Sequence, residues 1–251
     1  MSIDFKKFEN LSFEKFKQLA TDESLSCYEK IGFPDSYRKG YEENIFTDVR
    51  TKLKNLGLTN KIVLDIGPGC SDLPRMLINW CRDQQHSLIL IDSQEVLSLL
   101  PNESFMTKIP ARYPEECLPF IEQFAGQVDV ILTYSVFHYI FSEGNVFSFI
   151  DNSLKLLREQ GEMLIGDIPN VSKRKRFFSS TTGIKYHQEF MKTADTPKVT
   201  FNTLEQGEID DAISLAVVAR CRSFGFDAYL MPQSTDLPMA NRREDVLIRR
   251  P

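Results

Sequence analysis

Two things are missing from this sequence: long apolar runs and an excess of positive charge. No stretch approaches the ~20 consecutive apolar residues of a membrane span. The first residues, MSIDFKKFENLSFEKFK, interrupt their apolar positions with charges every few places. A signal peptide and a membrane helix are therefore not expected, and the chain is expected in the cytoplasm. A formal net charge of -5 argues against a general nucleic-acid binder, which carries a basic field. The five cysteines (Cys27, Cys70, Cys81, Cys117, Cys221) lie far apart with no paired spacing, as expected of reduced, mostly buried thiols. The histidines at 86, 138 and 187 are scattered, and no His/Cys ligand spacing appears, so no metal site is expected. Internal repeats and low-complexity tracts are absent as well. What is present is ordinary globular material: 251 residues, 42% hydrophobic and 26% charged, enough for one α/β domain with additions.

From residue 61 onward, short apolar runs alternate with helical patterns. KIVLDI (61–66), SLILID (87–92), SFMTKI (104–109), VDVILTY (128–134) and EMLIGDI (162–168) read as strands covered on both faces. Helical patterns fall at about 71–84, 94–100, 114–125 and 144–158, so right-handed crossovers and a doubly wound sheet are expected. The end of the chain breaks this alternation. A helix over about 204–223, with Ile213, Ala216, Val217 and Cys221 on one face, runs into the stop at Gly225. FDAYLMP (226–232) and EDVLIRR (244–250) then follow with no helix between them, the pattern of an antiparallel hairpin. Residues 1–58 read as a helical cap, with Tyr41, Ile45, Val49, Leu53 and Leu56 on one stripe after a turn at Gly32-Phe33-Pro34-Asp35. Residues 59–251 read as the main domain, with a polar, weakly periodic insertion at about 170–203. Both additions could cover the carboxyl ends of the strands, where open α/β sheets bind ligands.

The stretch KIVLDIGPGCSDLP (61–74) is strand, acid, glycine turn and helix start in order. A dinucleotide site would set a pyrophosphate against that helix, drawn by free N–H groups and the positive end of its dipole. Asp72 stands in the first turn and Asp65 at the strand end, so a diphosphate would meet negative charge. A ligand carrying an ammonium and a sulfonium meets no such penalty, and Gly67 and Gly69 let the chain pass close beneath it. Asp92, 25 residues beyond Gly67, ends the second strand where an acid can accept from both ribose hydroxyls. The competing reading makes Asp92 an N-cap for a helix at Gln94.

Residues 61–251 resemble the class I S-adenosylmethionine-dependent methyltransferases. LDIGPGCSD resembles their glycine loop, LILIDSQ their ribose acid, and VDVILTYSVFHYI their signature after the fourth strand. LLREQGEMLIGDI is similar to their fifth strand and SFGFDAYLMP to the approach to their sixth. Ser71 departs from the pattern, standing where many members carry a third glycine, at a position that tolerates small residues. The resemblance implies a seven-stranded, mostly parallel sheet of order 3-2-1-4-5-7-6, S-adenosylmethionine as cofactor, and methyl transfer. It implies a cofactor site of Asp65, Gly67, Pro68, Gly69, Asp72, Asp92 and Ser93. Ile109 and Pro110 would line the adenine pocket, and Ser135 and Val136 would lie beneath the cofactor. YEKIGFPDSYRKGYEENIF (28–46) resembles the leader of small methyltransferases of bacterial surface-polysaccharide clusters. On that basis Tyr37 and Arg38 fold over the cofactor, Arg38 pairing with its carboxylate. The alternative leaves Arg38 a solvated first-turn charge with Asp35 as the cap.

Methyl transfer from a sulfonium needs an aligned acceptor and, for a hydroxyl, removal of its proton. His138 and Asp167, near the ends of the fourth and fifth strands, are the candidates. Their alternatives are a helix-packed imidazole and a cap for the turn at Ile168-Pro169. Lys173-Arg174-Lys175-Arg176 reads as a solvated helix face. Facing the cleft, it would suit a phosphate-bearing acceptor such as a nucleotide sugar. Base-methylating loops of the Asn/Asp-Pro-Pro-Tyr and Pro-Cys kinds are absent, since Tyr134-Ser135-Val136-Phe137 stands there, and no basic-aromatic RNA groove is visible. The expected partner is a small oxygen-bearing metabolite, phosphorylated if the basic run faces the cleft. The rivals are an NAD(P)-dependent oxidoreductase and a non-catalytic cofactor-binding protein. Asp72, the terminal hairpin and the lack of a Tyr-x-x-x-Lys pair oppose the oxidoreductase.

Overall fold

The computed structural model describes residues 11–251; the charged start of the expected cap, residues 1–10, lies outside them. Seven strands form one sheet: β1 Ile62–Ile66, β2 Ser87–Asp92, β3 Met106–Pro110, β4 Val128–Tyr134, β5 Leu157–Pro169, β6 Asp227–Pro232 and β7 Arg243–Arg249. Their order is β3-β2-β1-β4-β5-β7-β6. The first five run parallel, and β7 pairs antiparallel with both β5 and β6, so the expected hairpin closes the sheet.

Twelve α-helices are described. Before β1 come α1 Phe13–Thr21, α2 Cys27–Lys30, α3 Asp35–Arg38 and α4 Glu42–Lys52. Within the alternating part lie α5 Asp72–Asp83, α6 Gln94–Ser98, α7 Leu118–Gln123, α8 Phe137–Glu143 and α9 Val146–Leu156. After β5 follow α10 Val171–Phe178, α11 Thr181–Met191 and α12 Asp211–Ser223.

Strand periodicity decides which helices cover which face. Val63, Leu88, Leu90, Val130 and Leu132 point to the side held by Ile45 and Val49 of α4 and Leu77 and Ile78 of α5. Leu64, Ile66, Ile89, Ile91 and Ile131 point to the other, against Phe149 and Ile150 of α9 and Val217 and Cys221 of α12. Every residue of β4 is buried, which is why it reads as an unbroken apolar run. The stripe expected before β1 is buried at Ile45, Val49, Leu53 and Leu56, while Tyr41 stays exposed.

Three local expectations are revised. Helix α12 starts at Asp211 and not near 204, because the Asp210 side chain accepts from the Ile213 N–H and caps it there. The insertion at 170–203 contains two helices, capped by Asn170 and Ser180. Helix α8, directly after β4, had no counterpart in the sequence pattern: its aromatic run, FHYIF, lacks polar spacing.

Candidate functional site

The strand order reverses between β1 and β4, and the crevice of an open α/β sheet lies at that point. A cleft of about 1220 Å³, open to solvent, occupies it. Asp65 through Gly69 form one wall, Asp92 another, and Ser135 and Val136 the floor beyond β4. Gly67 and Gly69 adopt φ of 71° and 68°, the left-handed region. A Cβ on Gly67 would come within 2.6 Å of a Val136 methyl, and one on Gly69 within 2.7 Å of an Ile31 methyl. Bare backbone is therefore required on both sides of Pro68.

Asp92 accepts from the Gly69 N–H at 3.2 Å and from the Ser93 N–H at 2.7 Å. It thus ties the glycine loop to the end of β2 and still faces the cleft. The cap of α6 is Ser93, whose hydroxyl accepts from Val96, so the N-cap reading of Asp92 does not hold. Burial pushes the Asp92 carboxyl up to about 6, the two N–H donors opposing. Burial, with Asp92 adding to it, pushes Asp65 up to about 8. Two acids this close, both short of full ionisation, favour a cationic or hydroxyl-bearing ligand over a diphosphate.

At the far end of the cleft, α3 delivers Arg38, which is only 2% exposed. Its Nη1 lies 3.4 Å from Asp167 and its Nε 3.7 Å from Glu42. The guanidinium also sits 5.0 Å from the Phe33 ring and 5.3 Å from the Tyr134 ring. A solvated first-turn charge is excluded. Among the described residues, Arg38 Nε and both carboxylate oxygens of Glu42 are buried without a hydrogen-bond partner, the 3.7 Å ion pair between them aside. Burial pushes the Glu42 carboxyl up, Arg38 opposing. An orphaned cationic donor beside an orphaned acid suits the carboxylate and ammonium of an amino-acid head group.

Beneath Arg38 lies a buried polar network. Asp167, at φ 63° in a bulged part of β5, bonds Arg243 Nη1 at 2.6 Å, Gln233 Nε2 at 3.3 Å and the Ser135 hydroxyl. Its own N–H donates to Asp245 at 2.8 Å, and Lys52 Nζ reaches Asp245 at 2.6 Å. Asp167 is thus enclosed by donors and does not line the cleft. His138, on α8, is not among the residues lining the cleft; its ring packs 3.8 Å from that of Tyr139, and its buried Nδ1 has no hydrogen-bond partner among the described residues. Burial and the nearby Arg243 charge push its pKa down to about 3 against the pull of Asp167, so the ring is neutral at physiological pH.

Of the residues expected at the cofactor, the cleft is lined by Arg38, Asp65, Gly67, Pro68, Gly69, Asp92, Ser135 and Val136. Five others lie elsewhere. Ser93 is buried under α6, and Asp72 accepts from the Tyr28 hydroxyl at 2.9 Å, fastening α2 to α5. Tyr37 lines a second pocket. Ile109 and Pro110 belong to β3, which runs one residue further than the pattern suggested, and Ala111, Arg112 and Tyr113 take the place expected of them. Sequence reasoning missed Phe16, Phe33 and Tyr139 as lining residues. The aromatic run after β4 and the Phe inside the turn at Gly32 were the available signals. Among the described residues no group of three or more His, Cys, Asp or Glu could hold a metal ion. No helix among them is long and apolar enough to cross a membrane.

Comparison with solved structures bears on this geometry. The chain shares its fold with a plantazolicin methyltransferase, BpumL, solved with S-adenosylhomocysteine: TM-score 0.56, 11% identity, covering 95% of this chain and 98% of that one. An S-adenosylmethionine-dependent methyltransferase from Aquifex aeolicus gives a TM-score of 0.52 at 13% identity, covering 95% and 98%. The 1,6-didemethyltoxoflavin-N1-methyltransferase of Burkholderia thailandensis gives 0.50 at 12% identity, covering 96% and 91%. No family model matches the sequence, and no curated protein matches it. The fold is that of the class I methyltransferases, with the seven-stranded order expected from the sequence.

Proposed function

We propose that this protein is an S-adenosylmethionine-dependent methyltransferase acting on a small metabolite. The acceptor proposed is an oxygen on a sugar or phosphorylated compound, of the kind used in surface-polysaccharide assembly. One observation carries the donor assignment: the glycine loop is flanked by Asp65 and Asp92, while Arg38 lines the far end with a buried Nε that has no hydrogen-bond partner among the described residues. That lining suits a nucleoside joined to an amino acid and not a dinucleotide. The shared fold supports it, and the Burkholderia protein was solved with a small-molecule acceptor, 1,6-didemethyltoxoflavin, beside S-adenosylhomocysteine.

The bound donor supplies a methyl group already activated on a sulfonium. In this reading Asp92 holds the ribose hydroxyls, and Gly67 and Gly69 allow close approach. Arg38 takes the carboxylate, and Glu42 the ammonium. His138, whose unpartnered Nδ1 is buried beside Tyr139, would be the group to receive the acceptor's hydroxyl proton once the donor supplies its methyl group. Asp167 acts as a positioning residue, because two guanidiniums and a hydroxyl already occupy its oxygens. The segment from α2 to α3 shuts out water with Phe33 and Tyr28.

Calorimetry tests the donor assignment directly. S-adenosylmethionine or S-adenosylhomocysteine is expected to bind with a micromolar Kd and NAD not at all. NAD binding without either sulfur compound would overturn the reading.

A further inference from the structure

The basic run at 173–176 resolves into four different situations. Lys173 Nζ donates to the Arg243 carbonyl at 2.6 Å, Lys175 pairs with Glu205 at 2.8 Å, and Arg176 pairs with Asp211 at 2.5 Å. Arg174 alone has no side-chain partner among the described residues, and it faces a second pocket of about 970 Å³. Arg242 faces the same pocket and also has no side-chain partner among the described residues. The Asn170 N–H donates to the Arg242 carbonyl at 3.0 Å, which holds the start of α10 and the approach to β7 together and brings the two arginines to one cavity.

The opposite wall is aromatic. Tyr186 and Phe190 of α11 stack with centroids 5.9 Å apart and an interplanar angle of 8°. Both are exposed, Phe190 by 54%, and Phe178 stands 6.4 Å from Tyr186. Flat faces open to solvent beside unpaired guanidiniums are an arrangement for stacking a ring and pairing its oxyanion. Glu208 on the rim disfavours a ligand that is anionic throughout and offers an acceptor to a donor on the ring.

A thin layer separates this pocket from the first cleft. Arg243 lines the second pocket, bonds Asp167, and lies 5.7 Å from the ring of Phe33, which lines the first. Tyr37 lines the second pocket and its neighbour Arg38 the first.

We propose that the second pocket binds the nucleotide part of the methyl acceptor, stacking its base on Tyr186 and Phe190 and pairing its phosphates with Arg174 and Arg242. The acceptor is then a nucleotide-linked compound whose remaining portion reaches past Arg243 toward His138. The acceptor role rests on the methyltransferase reading; the binding site itself does not.

The test is titration of the full chain, saturated with S-adenosylhomocysteine, with UDP and ADP as nucleotides, uridine as ring alone and pyrophosphate as anion alone. At least one nucleotide is expected to bind about tenfold or more tighter than uridine and pyrophosphate. Arg174→Ala with Arg242→Ala should reduce it to the level of the nucleoside, and Tyr186→Ala with Phe190→Ala to that of pyrophosphate. S-adenosylhomocysteine affinity should stay within about twofold in all variants, which also reports that they fold. Nucleotides no tighter than pyrophosphate, or tight binding indifferent to both double variants, would overturn the proposal. So would nucleotide binding that S-adenosylhomocysteine displaces, since the nucleotide would then occupy the first cleft. If S-adenosylhomocysteine itself does not bind, the methyltransferase reading fails, and the same titrations on the free protein still decide the pocket.

Discussion

Asp92 and His138 show how differently two single residues can be read. Asp92 was legible because its distance from the glycine loop and its place at a strand end both follow from chain order. Its competitor, the cap, was removed only by seeing the Ser93 hydroxyl take that role. Asp92→Ala is expected to weaken S-adenosylmethionine by roughly 1.5–3 kcal/mol, the scale of a hydrogen bond to a charged group. Unchanged affinity in equilibrium binding would remove it from the ribose. His138 carries no such signal: one histidine near a strand end is compatible with packing or with proton transfer. The unpartnered Nδ1 leaves a lone pair free, and a pKa pushed down to about 3 keeps the ring neutral while weakening it as a base, so proton transfer to it requires that acceptor binding raise that pKa. His138→Gln should lower kcat by about 10²-fold or more while leaving S-adenosylhomocysteine affinity alone. A loss confined to thermal stability, with kcat intact, would return His138 to packing.

Among the elements, the strands were the most legible and the helices around the site the least. Buried parallel strands read as apolar runs whatever surrounds them, so β1, β2 and β4 stand where the pattern put them. The helices α8, α10 and α11 lack a clean apolar stripe because they face a cleft or a pocket, where no continuous core imposes one. The segment from α2 to α3 is the element with most functional consequence. Gly32 and Gly40, at φ 81° and 89°, flank Phe33 and Arg38, both buried. The segment is held by the ion pair to Asp167 and the bond from Tyr28 to Asp72, among other contacts, and those glycines are where it can open. S-adenosylhomocysteine is expected to slow hydrogen exchange and proteolysis across 28–40. Deletion of residues 1–40 should abolish turnover while 61–251 stays folded, as circular dichroism would report. A truncated protein methylating at the normal rate would make the segment packing alone.

For the whole molecule, the buried acids couple ligand binding to stability. An unfolded aspartate titrates near ~3.9, whereas Asp92 is pushed up to about 6 and Asp65 up to about 8. The folded chain therefore keeps protons that the unfolded chain has shed. The stabilisation is fully present below the unfolded pKa and is lost as pH rises through about 6 and then about 8. His138, pushed down to about 3, works in the opposite sense until the unfolded imidazole is neutral near ~6.5. Above that pH, denaturant unfolding of the free protein should show stability falling toward about 8, and Asp65→Asn should flatten the slope. Stability rising between those two pH values would contradict the burial of Asp65 as a neutral group.

The strands, the hairpin that closes the sheet and the loop between Asp65 and Asp72 were readable from the chain, because they depend on local periodicity and on residue types that force backbone shape. The order of the strands was implied only by the resemblance of the motifs to those of a known fold. Tertiary structure alone decided which charges are spent. Arg38 could have been a solvated cation and is instead buried against Asp167, 129 positions away. Arg174 is chemically the same as Arg176, yet Arg176 meets Asp211 while Arg174 faces an open pocket with no side-chain partner among the described residues. Ionic pairing depends on separation in space, and the chain folds remote carboxylates onto some cations and leaves others free. That selection, absent from the order of residues, separates the positions that hold the protein together from those left to hold a ligand.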